Sequence, residues 1–458
     1  MKDYKRKRDI SLMSDKNCVL SLDFHREYPR VVSGKGIYMY KEDGTEIIDG
    51  ASGPVLVSLG HGNEEIADAM KEQATKLAFA HRDDCVTPVL EESCRLIAEA
   101  SDYDLAKIFQ VCGGSEATEM AIKMARRYHI QRGNAGKYKI ISRWQSYHGI
   151  SNGALAVSGF AKRRKGYEPY LPEMGHIQPA YTYRPWIAND ENYAINCARA
   201  LENEIMAQGP DTVAAFIAEP ISGMSLCAAV PPEGYFEEIR RICDKYDVLL
   251  ILDEVMTGMG RTGKMFAYKH FNIVPDIVTM GKSISGGYFP LAAVGITQKV
   301  YEGMAEKNGN FPPGFSWSGN PLGAAVNVAV MKYLKKHNLV DNCAKMGDYL
   351  KAQLEKKIMH HPIVGDIRGK GLMIGVELVK DKATKESFPM SEQVAFRIQE
   401  AALEDENMLI EASQGCNKGQ AGDGLVISPA FIINKEQIDD IVDRLDKAIS
   451  TVEKELGY

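Results

Sequence analysis

The chain has 458 residues, of which 45% are hydrophobic and 25% are charged, and its formal net charge is −6. This length exceeds what one compact core usually holds, so we expect two domains, and the acidic balance argues against a dedicated nucleic-acid surface. The composition is that of a soluble globular protein. The basic opening Lys2–Arg8 lacks the apolar run of a signal peptide, and no segment reaches transmembrane length.

Cysteine and histidine usage indicates a reducing compartment and no metal. Nine cysteines are scattered without a C-x-x-C pair, which is typical of reduced thiols in a cytoplasmic protein. The chain has no H-E-x-x-H motif and no Cys/His cluster, so we expect no metal site. The pair His360-His361 is interpreted as surface or loop.

In chain order, the N-terminal segment Val31–Ile48 contains a strand-like stretch, Gly36–Tyr40, and a turn at Asp43-Gly44. From about Glu64 to Tyr333, short β-rich runs alternate with helical patterns such as Gly234–Tyr246, which predicts an α/β fold with a mostly parallel, seven-stranded type of sheet between helices. The predicted strands are Lys139–Ser142, Ala214–Ala218, Val248–Leu252, Ile277–Met280 and Ala292–Ile296.

The C-terminal part changes character and predicts a smaller α+β domain. Arg368–Leu378 and Gly424–Ile427 favour strands, whereas Ser391–Glu404 and Gln437–Leu456 favour helices. Asn434 and Gln437 form a capping-box pattern before the last helix. We expect a large domain over residues 64–333, and a small domain built from residues 1–63 and 334–458.

Two residues at predicted strand ends carry the chemistry. Asp253 ends the apolar run Val248–Leu252, and Lys282 follows the run Ile277–Met280. Ligands of parallel sheets bind beyond the carboxyl ends of strands. A lysine there can hold pyridoxal 5′-phosphate as a Schiff base, while an acid keeps the pyridine nitrogen protonated.

The segment Cys112–Ser115 precedes a helical pattern over Glu116–Tyr128. Gly114 and Ser115 at a helix N-terminus offer free backbone N–H groups and a favourable dipole for a phosphate. The alternative is a simple tight turn with Ser115 as N-cap.

Tyr147 follows the strand Lys139–Ser142 and can reach the same crevice, where its ring could stack on a planar cofactor. A buried structural tyrosine is the alternative, and His148 is interpreted as structural.

The run Gly258–Gly263 (GMGRTG) matches the dinucleotide pattern G-x-G-x-x-G. It begins five residues after Asp253 instead of closing a strand directly, and no strand-end acid follows at the expected distance. We therefore interpret it as an irregular loop.

Eight segments together resemble the class III pyridoxal-phosphate aminotransferases over almost the whole chain. They are Asp49–His61 (DGASGPVLVSLGH), Gly113–Ala117 (GGSEA), Tyr147–Gly149 (YHG), Glu219–Gly223 (EPISG), Asp253–Gly263 (DEVMTGMGRTG), Pro275–Leu291 (PDIVTMGKSISGGYFPL), Phe315–Pro321 (FSWSGNP) and Arg368–Leu372 (RGKGL).

The resemblance implies a fold-type-I transferase, an obligate homodimer with active sites at the subunit interface, and pyridoxal phosphate as cofactor. By matching position, Lys282 resembles the Schiff-base lysine and Asp253 the partner of the pyridine nitrogen. The other implied contacts are the phosphate turn Gly114 and Ser115, the stacking ring of Tyr147, Val255 on the opposite ring face, and Ser316, which stands where relatives place a threonine that reaches the phosphate of the neighbouring subunit.

Departures from the family concern the substrate. Relatives that handle dicarboxylates place charged groups where this chain has Ile150, Met224 and Val426. The pattern is closer to the amine or ω-amino-acid:pyruvate enzymes, which supply an arginine from a late loop; here that region, Glu411–Asp423, has only Lys418 as a cation. Pro54 and Val55 predict a small apolar wall.

These observations predict a transaminase that moves an amino group from an amine or ω-amino acid to a small 2-oxo acid, with pyruvate as the expected acceptor. Arg143 and Arg261 are the arginines that could instead admit 2-oxoglutarate. Two alternatives stay open at the level of the sequence. One is an amino-acid racemase or epimerase on the same scaffold, and the other is a nicotinamide-dependent oxidoreductase that uses Gly258–Gly263.

Overall fold

The computed structural model describes residues 19–23, 26–307, 310–311 and 314–458. The basic segment Lys2–Arg8 and Cys18 lie outside this part. The strands are β1 (Val31–Lys35), β2 (Tyr38–Lys41), β3 (Glu46–Asp49), β4 (Lys107–Val111), β5 (Lys139–Arg143), β6 (Gly175–Ile177), β7 (Val213–Ala218), β8 (Leu249–Glu254), β9 (Ile277–Met280), β10 (Ala292–Ile296), β11 (Val364–Gly369), β12 (Ile374–Leu378), β13 (Met408–Leu409), β14 (Glu411–Asn417) and β15 (Ala421–Ile427).

The α-helices follow the same chain order, and several of them cover the large sheet. They are α1 (Ser52–Val55), α2 (Glu64–Lys76), α3 (Pro88–Ala100), α4 (Gly114–Gln131), α5 (Asn152–Ala156), α6 (Ala161–Arg164), α7 (Tyr193–Gln208), α8 (Tyr235–Lys245), α9 (Gln298–Ala305), α10 (Pro321–Lys336), α11 (Leu339–Ile358), α12 (Val394–Glu404) and α13 (Lys435–Leu456).

A seven-stranded sheet with the order β4-β10-β9-β8-β7-β5-β6 forms the centre of the molecule. Strands β9, β8, β7, β5 and β6 are parallel, whereas β10 runs antiparallel to both of its neighbours. The mostly parallel α/β sheet predicted from the sequence is thereby confirmed. Strands β4 and β6 were not predicted, since β4 mixes polar and apolar residues and β6 has only three residues.

Helices pack on both faces of this sheet because its central strands are apolar along most of their length. In β8, Leu249 and Ile251 join a cluster with α4, whereas Leu250 and Leu252 join the cluster that contains α7 and α8. Successive side chains of a strand point to opposite faces, so a continuous apolar run supplies both layers. Polar residues of these strands lie at their carboxyl ends, at one edge of the sheet.

The C-terminal part forms a four-stranded antiparallel sheet with the order β11-β12-β15-β14, covered by α11, α12 and α13. The predicted single strand over Arg368–Leu378 was wrong: β11 and β12 are two strands of a hairpin. Gly369 (φ +137°) and Gly371 (φ +56°) allow the chain to reverse there. The capping box of Asn434 and Gln437 at α13 is confirmed.

The predicted late loop over Glu411–Asp423 was also wrong, because most of it is the β14–β15 hairpin. Lys418 (φ +54°) and Gly419 (φ +72°) make the tight turn between the strands. The sequence predicts a loop there because the glycines and polar residues of this segment break the apolar alternation of an ordinary strand.

The N-terminal strands pair with the C-terminal part, since β13 lies parallel to β3 in a sheet with the order β1-β2-β3-β13. The backbone N–H of Ser428 also donates to the carbonyl of Gly50 at 2.8 Å. The predicted limit after Tyr333 lies within α10, and the division into two domains stays a prediction.

Within the described ranges, no helix combines the length and apolar character needed to span a membrane. The cysteines of these ranges are all free, and five of them, Cys197, Cys227, Cys243, Cys343 and Cys416, are buried.

Candidate active site

Asp253 and Lys282 lie side by side at the carboxyl edge of the large sheet. Strands β8 and β9 are parallel neighbours, and Asp253 is in register with Thr279, three residues before Lys282. The Thr279 hydroxyl donates to Asp253 Oδ1 at 3.0 Å. The sequence prediction that these two strand ends meet is therefore correct in its geometry.

The Asp253 carboxylate is buried and almost fully hydrogen-bonded. Oδ1 accepts from the Val255 backbone N–H at 3.0 Å and from Thr279, and Oδ2 lies 2.7 Å from His148 Nδ1. Two carboxylate oxygens offer about four acceptor positions in all. Three are used, so the carboxylate is held rigidly and keeps room for one further donor.

Lys282 begins a short 3₁₀ turn after Gly281 and has a left-handed backbone, with φ +47°. Its ammonium group has no hydrogen bond or ion pair to any residue in the described ranges. Removal from water lowers the pKa of Lys282 to about 8, whereas the charges of Glu411 and then Asp253 act in the opposite direction. A lysine in this setting is readily neutral and nucleophilic.

The predicted phosphate turn is the N-terminus of α4. Gly113 occupies the N-cap position without a side-chain cap, so the alternative with Ser115 as N-cap was wrong. The Ser115 hydroxyl instead accepts from the Ile150 backbone N–H at 2.9 Å. The first N–H groups of α4 therefore have no partner in the helix and can bind an anion.

Val255 and Tyr147 lie at the same end of the sheet. A Cβ on Gly114 would come within 2.9 Å of Val255, and one on Gly281 within 3.1 Å, so Val255 lies between the phosphate turn and the lysine turn. Tyr147 is half-buried; burial raises the pKa of its hydroxyl, the positive charge of Arg163 lowers it, and the Asp253 carboxylate raises it. The ends of β8, β9 and β5 and the N-terminus of α4 thus lie together around Asp253.

Ser316 lies elsewhere in the chain's own fold. It is exposed and lines a cavity of about 470 Å³ whose walls include Arg82, Phe109 and Phe311, and neither Asp253 nor Lys282. Within one chain, Ser316 is therefore not part of the group of residues around Asp253.

Four residues near the site were not recognised in the sequence as part of it. His148 forms a hydrogen bond with Asp253. Apart from the YHG motif, its position after Tyr147 did not indicate this contact. Glu219 is buried; one carboxylate oxygen accepts from the Gly223 N–H at 2.9 Å, and the other has no hydrogen-bond partner in the described part of the chain. Arg163 and Glu411 were missed because nothing in the local pattern of α6 or β14 points toward the sheet edge.

The residues predicted to determine substrate specificity differ in their exposure to solvent. Ile150 is 55% exposed, Met224 is half-buried and Val426 is fully buried. Of the two residues of the predicted apolar wall, Val55 is fully buried and Pro54 is exposed. Lys418 is exposed at the hairpin turn, with its Nζ 6.0 Å from the centre of the Trp186 ring.

Arg143 and Arg261 are both buried and held by carbonyl groups. Arg143 donates to the Glu219 carbonyl at 2.6 Å. Arg261 donates to the carbonyls of Leu372, Ser428 and Pro429 at 2.9, 3.2 and 2.7 Å.

The glycine run Gly258–Gly263 is a loop, as the sequence predicted. Strand β8 ends at Glu254, whose carboxylate accepts from the Ala267 and Tyr268 backbone N–H groups at 2.7 Å each and so closes the loop. The next element is a 3₁₀ turn at Ala267–His270 instead of the helix that a dinucleotide phosphate requires.

His360 and His361 lie in the loop between α11 and β11, as the sequence predicts; His360 is exposed, whereas His361 is buried. His361 Nδ1 lies 2.7 Å from Glu453 and Nε2 lies 3.0 Å from Asp446. With His360 and Asp446 it has the spacing of a possible metal-binding group, yet both of its ring nitrogens already contact carboxylates. We interpret it as a link between the end of α11 and α13.

Comparison with known proteins agrees with this architecture. The family model described as "Aminotransferase class-III" matches residues 25–449. The taurine–pyruvate aminotransferase of Bilophila wadsworthia is 36% identical over 93% of each chain, and the diaminobutyrate–2-oxoglutarate transaminase of Halomonas elongata is 33% identical over 92% of this chain and 90% of its own. The omega transaminase of Pseudomonas jessenii in complex with PMP has a TM-score of 0.89, 32% identity and 99% coverage of both chains.

A fold-type-I sheet with an acid and a lysine at adjacent strand ends defines the class of pyridoxal-phosphate enzymes. The chain belongs to the class III aminotransferase family. It is therefore a pyridoxal 5′-phosphate-dependent enzyme, and the residues present fit that cofactor: Asp253 keeps one acceptor position, and the N-terminus of α4 offers free N–H groups.

Proposed function

We propose that this enzyme transfers an amino group from an amine or ω-amino acid to a small 2-oxo acid, with pyruvate as the acceptor, and that Lys282 is the residue that holds the cofactor. The observation that carries the proposal is the position of a rigid Asp253 beside Lys282 at neighbouring strand ends, where no described residue forms a hydrogen bond or ion pair with the lysine. Gly114, Ser115, Tyr147 and Val255 surround that pair.

When bound, pyridoxal phosphate supplies an aldehyde that accepts the amino group and a ring that stabilises negative charge at the substrate carbon. Asp253 would accept a hydrogen bond from the protonated pyridine nitrogen, while His148 and Thr279 keep its oxygens from rotating. Ser115 and the first N–H groups of α4 would bind the phosphate. Lys282, displaced by the incoming amine, would take the proton from the substrate carbon.

Two features support an acceptor with one carboxylate. Arg143 and Arg261 are buried and donate to backbone carbonyls, which supports the proposal that neither binds a second carboxylate of the acceptor. Arg163 is exposed, and its guanidinium carbon lies 5.9 Å from the centre of the Tyr147 ring. We propose Arg163, in place of Lys418, as the cation that holds the single carboxylate of pyruvate.

The acceptor is tested by comparing kcat/KM for pyruvate and 2-oxoglutarate with one common amine donor. We expect pyruvate to be the better acceptor, since burying the second carboxylate of 2-oxoglutarate without a partner costs several kcal/mol. Arg163→Gln should raise KM for pyruvate, whereas Lys418→Gln, the matched control, should leave it unchanged. A preference for 2-oxoglutarate in the native enzyme would contradict the proposal.

We further propose a homodimer in which Ser316 completes the phosphate site of the neighbouring subunit. Around Ser316 the surface is aromatic and exposed: Trp317 is 59% and Phe79 is 40% exposed, with their rings 5.8 Å apart. Large exposed aromatic groups of this kind favour a protein interface.

A further inference from the structure

The link between α11 and α13 contains two adjacent histidines and two carboxylates. The ring of His361 is buried between two acids of α13: Nδ1 lies 2.7 Å from Glu453 Oε2, and Nε2 lies 3.0 Å from Asp446 Oδ1. The two acids are about two turns of α-helix apart, so they lie on the same face of α13. The neighbouring His360 is exposed, and its ring centre is 4.3 Å from that of His361.

Glu453 fixes which nitrogen of His361 carries the proton. This carboxylate is buried, and its other oxygen accepts from the Ile363 backbone N–H at 3.4 Å, so it cannot turn away from the ring. A carboxylate in this position accepts the Nδ1–H of a neutral imidazole. The lone pair of the neutral ring is then on Nε2, and it points toward Asp446.

His361 Nε2 and Asp446 Oδ1 are therefore two acceptors only 3.0 Å apart. Two acceptors at this distance repel each other unless a proton or a metal ion lies between them. With Zn–N and Zn–O bonds of about 2.0–2.1 Å, two ligand atoms of a tetrahedral zinc site lie about 3.3 Å apart. The observed distance is close to that value.

A third ligand atom and an unneutralised carboxylate complete the arrangement. One ligand atom each of His360, His361 and Asp446 lies within 4.8 Å of the other two, and the exposed His360 ring can rotate to shorten its distances. Among the described residues, no lysine or arginine forms an ion pair with Asp446. Lys357 pairs instead with Asp443.

We propose that His360, His361 and Asp446 bind a divalent cation of the zinc class, with Glu453 orienting His361 and water as a fourth ligand. Two imidazole nitrogens and one carboxylate oxygen favour zinc over magnesium or calcium, which prefer oxygen ligands alone. The sequence predicted no metal ligand at the histidine pair, because Asp446 follows 85 residues after His361. The ion would fasten the loop after α11 to α13, and this inference does not depend on the proposed transamination.

The test is zinc binding by the holoenzyme, prepared without an affinity tag and freed of metal by dialysis against a chelator. Zinc chloride is titrated in competition with a fluorescent zinc indicator. We expect one ion per chain with a Kd of about 1 µM or lower. Because the ion binds the folded state, zinc should also raise the melting temperature.

Three substitutions test the ligands. His360→Gln and Asp446→Asn change residues that are not fully buried, so the chain should fold, and each should raise the Kd for zinc by about a hundredfold or more, which exceeds the usual effect of an outer partner. Glu453→Gln should raise it by about tenfold, because it alters only the group that orients His361. The rise in melting temperature with zinc should disappear in His360→Gln and Asp446→Asn.

His337→Gln is the matched control. His337 is another exposed histidine beside an acid, with Nε2 3.9 Å from Glu65, and it follows the end of α10. Its loss should leave the Kd for zinc unchanged. An equal loss of affinity in this variant would show that zinc binds to scattered surface histidines, which overturns the proposal.

Two further results would contradict a metal site. One is a native enzyme that shows no saturable zinc binding. The other is native affinity in both His360→Gln and Asp446→Asn. In either case a second proton holds His361 between the two carboxylates, and the group is an ion bridge alone.

Discussion

At the scale of single residues, the central arrangement is a carboxylate held by three donors beside a lysine whose ammonium contacts no hydrogen-bond partner among the residues that the structure describes. Asp253 can neither rotate nor exchange partners without breaking bonds to Val255, His148 or Thr279. Lys282 is free to attach to and detach from a ligand. A fixed Asp253 and a Lys282 side chain that can move suit a reaction in which the lysine acts as the base in every turnover.

Asp253→Asn should retain the cofactor and lose most of the activity, because an amide does not hold the pyridine nitrogen protonated. Removing one partner of a buried ion pair costs about 3–5 kcal/mol, and each ~1.4 kcal/mol that appears in the barrier lowers the rate tenfold. We expect kcat to fall by roughly two orders of magnitude or more on this basis. Near-native turnover would remove Asp253 from the mechanism.

The control for this substitution is Asp423→Asn, which alters another buried carboxylate, one that accepts from the Ala395 N–H at 3.0 Å in the C-terminal sheet. It should lower the melting temperature and leave kcat of the folded enzyme close to the native value.

Lys282 should govern the pH dependence of cofactor loading. Its amine attacks an aldehyde only when neutral, and burial lowers its pKa from 10.5 to about 8. The rate at which the apoenzyme takes up pyridoxal phosphate should therefore rise with pH through about 8 and then level off. Borohydride reduction followed by peptide mapping should label Lys282, and a label on another lysine would show that the site is misassigned.

At the scale of elements, the site depends on close contact between the N-terminus of α4 and the Tyr147–Gly149 turn. Gly149 has φ +135°, and a Cβ there would lie 2.5 Å from Ser115 Oγ and 2.8 Å from Ser115 Cα. The turn can approach the phosphate site only because this position has no side chain.

Gly149→Ala should therefore push Ser115 away and weaken cofactor binding by about tenfold or more. Relieving an overlap of this kind costs about 1–3 kcal/mol of free energy. The measurement is the Kd of pyridoxal phosphate for the apoenzyme. Gly166→Ala is the matched control: Gly166 also has positive φ, +91°, but a Cβ there meets no atom within 4 Å. An equal loss in both variants would mean that backbone strain alone is responsible.

At the scale of the whole molecule, the proposed dimer makes each site depend on two chains. Sedimentation in the concentration range of the assay should give a dimer. Trp317→Asp should yield monomers that bind the cofactor weakly, whereas Tyr170→Asp, at a 72% exposed aromatic residue outside this surface, should stay dimeric. A fully active monomer would contradict the proposal.

Hybrid dimers distinguish the two possible positions of Ser316. When a Lys282→Ala subunit pairs with a Ser316→Ala subunit, a role across the interface leaves one site with both native residues. A role within the chain leaves no such site. We expect the lysine-competent site of the hybrid to bind the cofactor with native affinity.

The sequence by itself determined the α/β class, the strands that end near Asp253 and Lys282, and the helix N-terminus at Gly114 and Ser115, which we propose binds the phosphate. These depend on local causes: continuous apolar runs form buried strands, and glycines before an amphipathic run expose helix N–H groups. The family motifs were sufficient to name the chemistry because the motif residues stand at the ends of such elements.

Only the tertiary structure decided how the elements around the site pack. Arg163 lies on the short helix α6 and Glu411 on a strand that the sequence presented as a loop, and these two elements, far apart in the chain, pack against each other. Likewise, only the folded contacts show that Arg143 and Arg261 are occupied by carbonyl groups. Such long-range contacts leave no periodic signal in the sequence, because nothing local requires them.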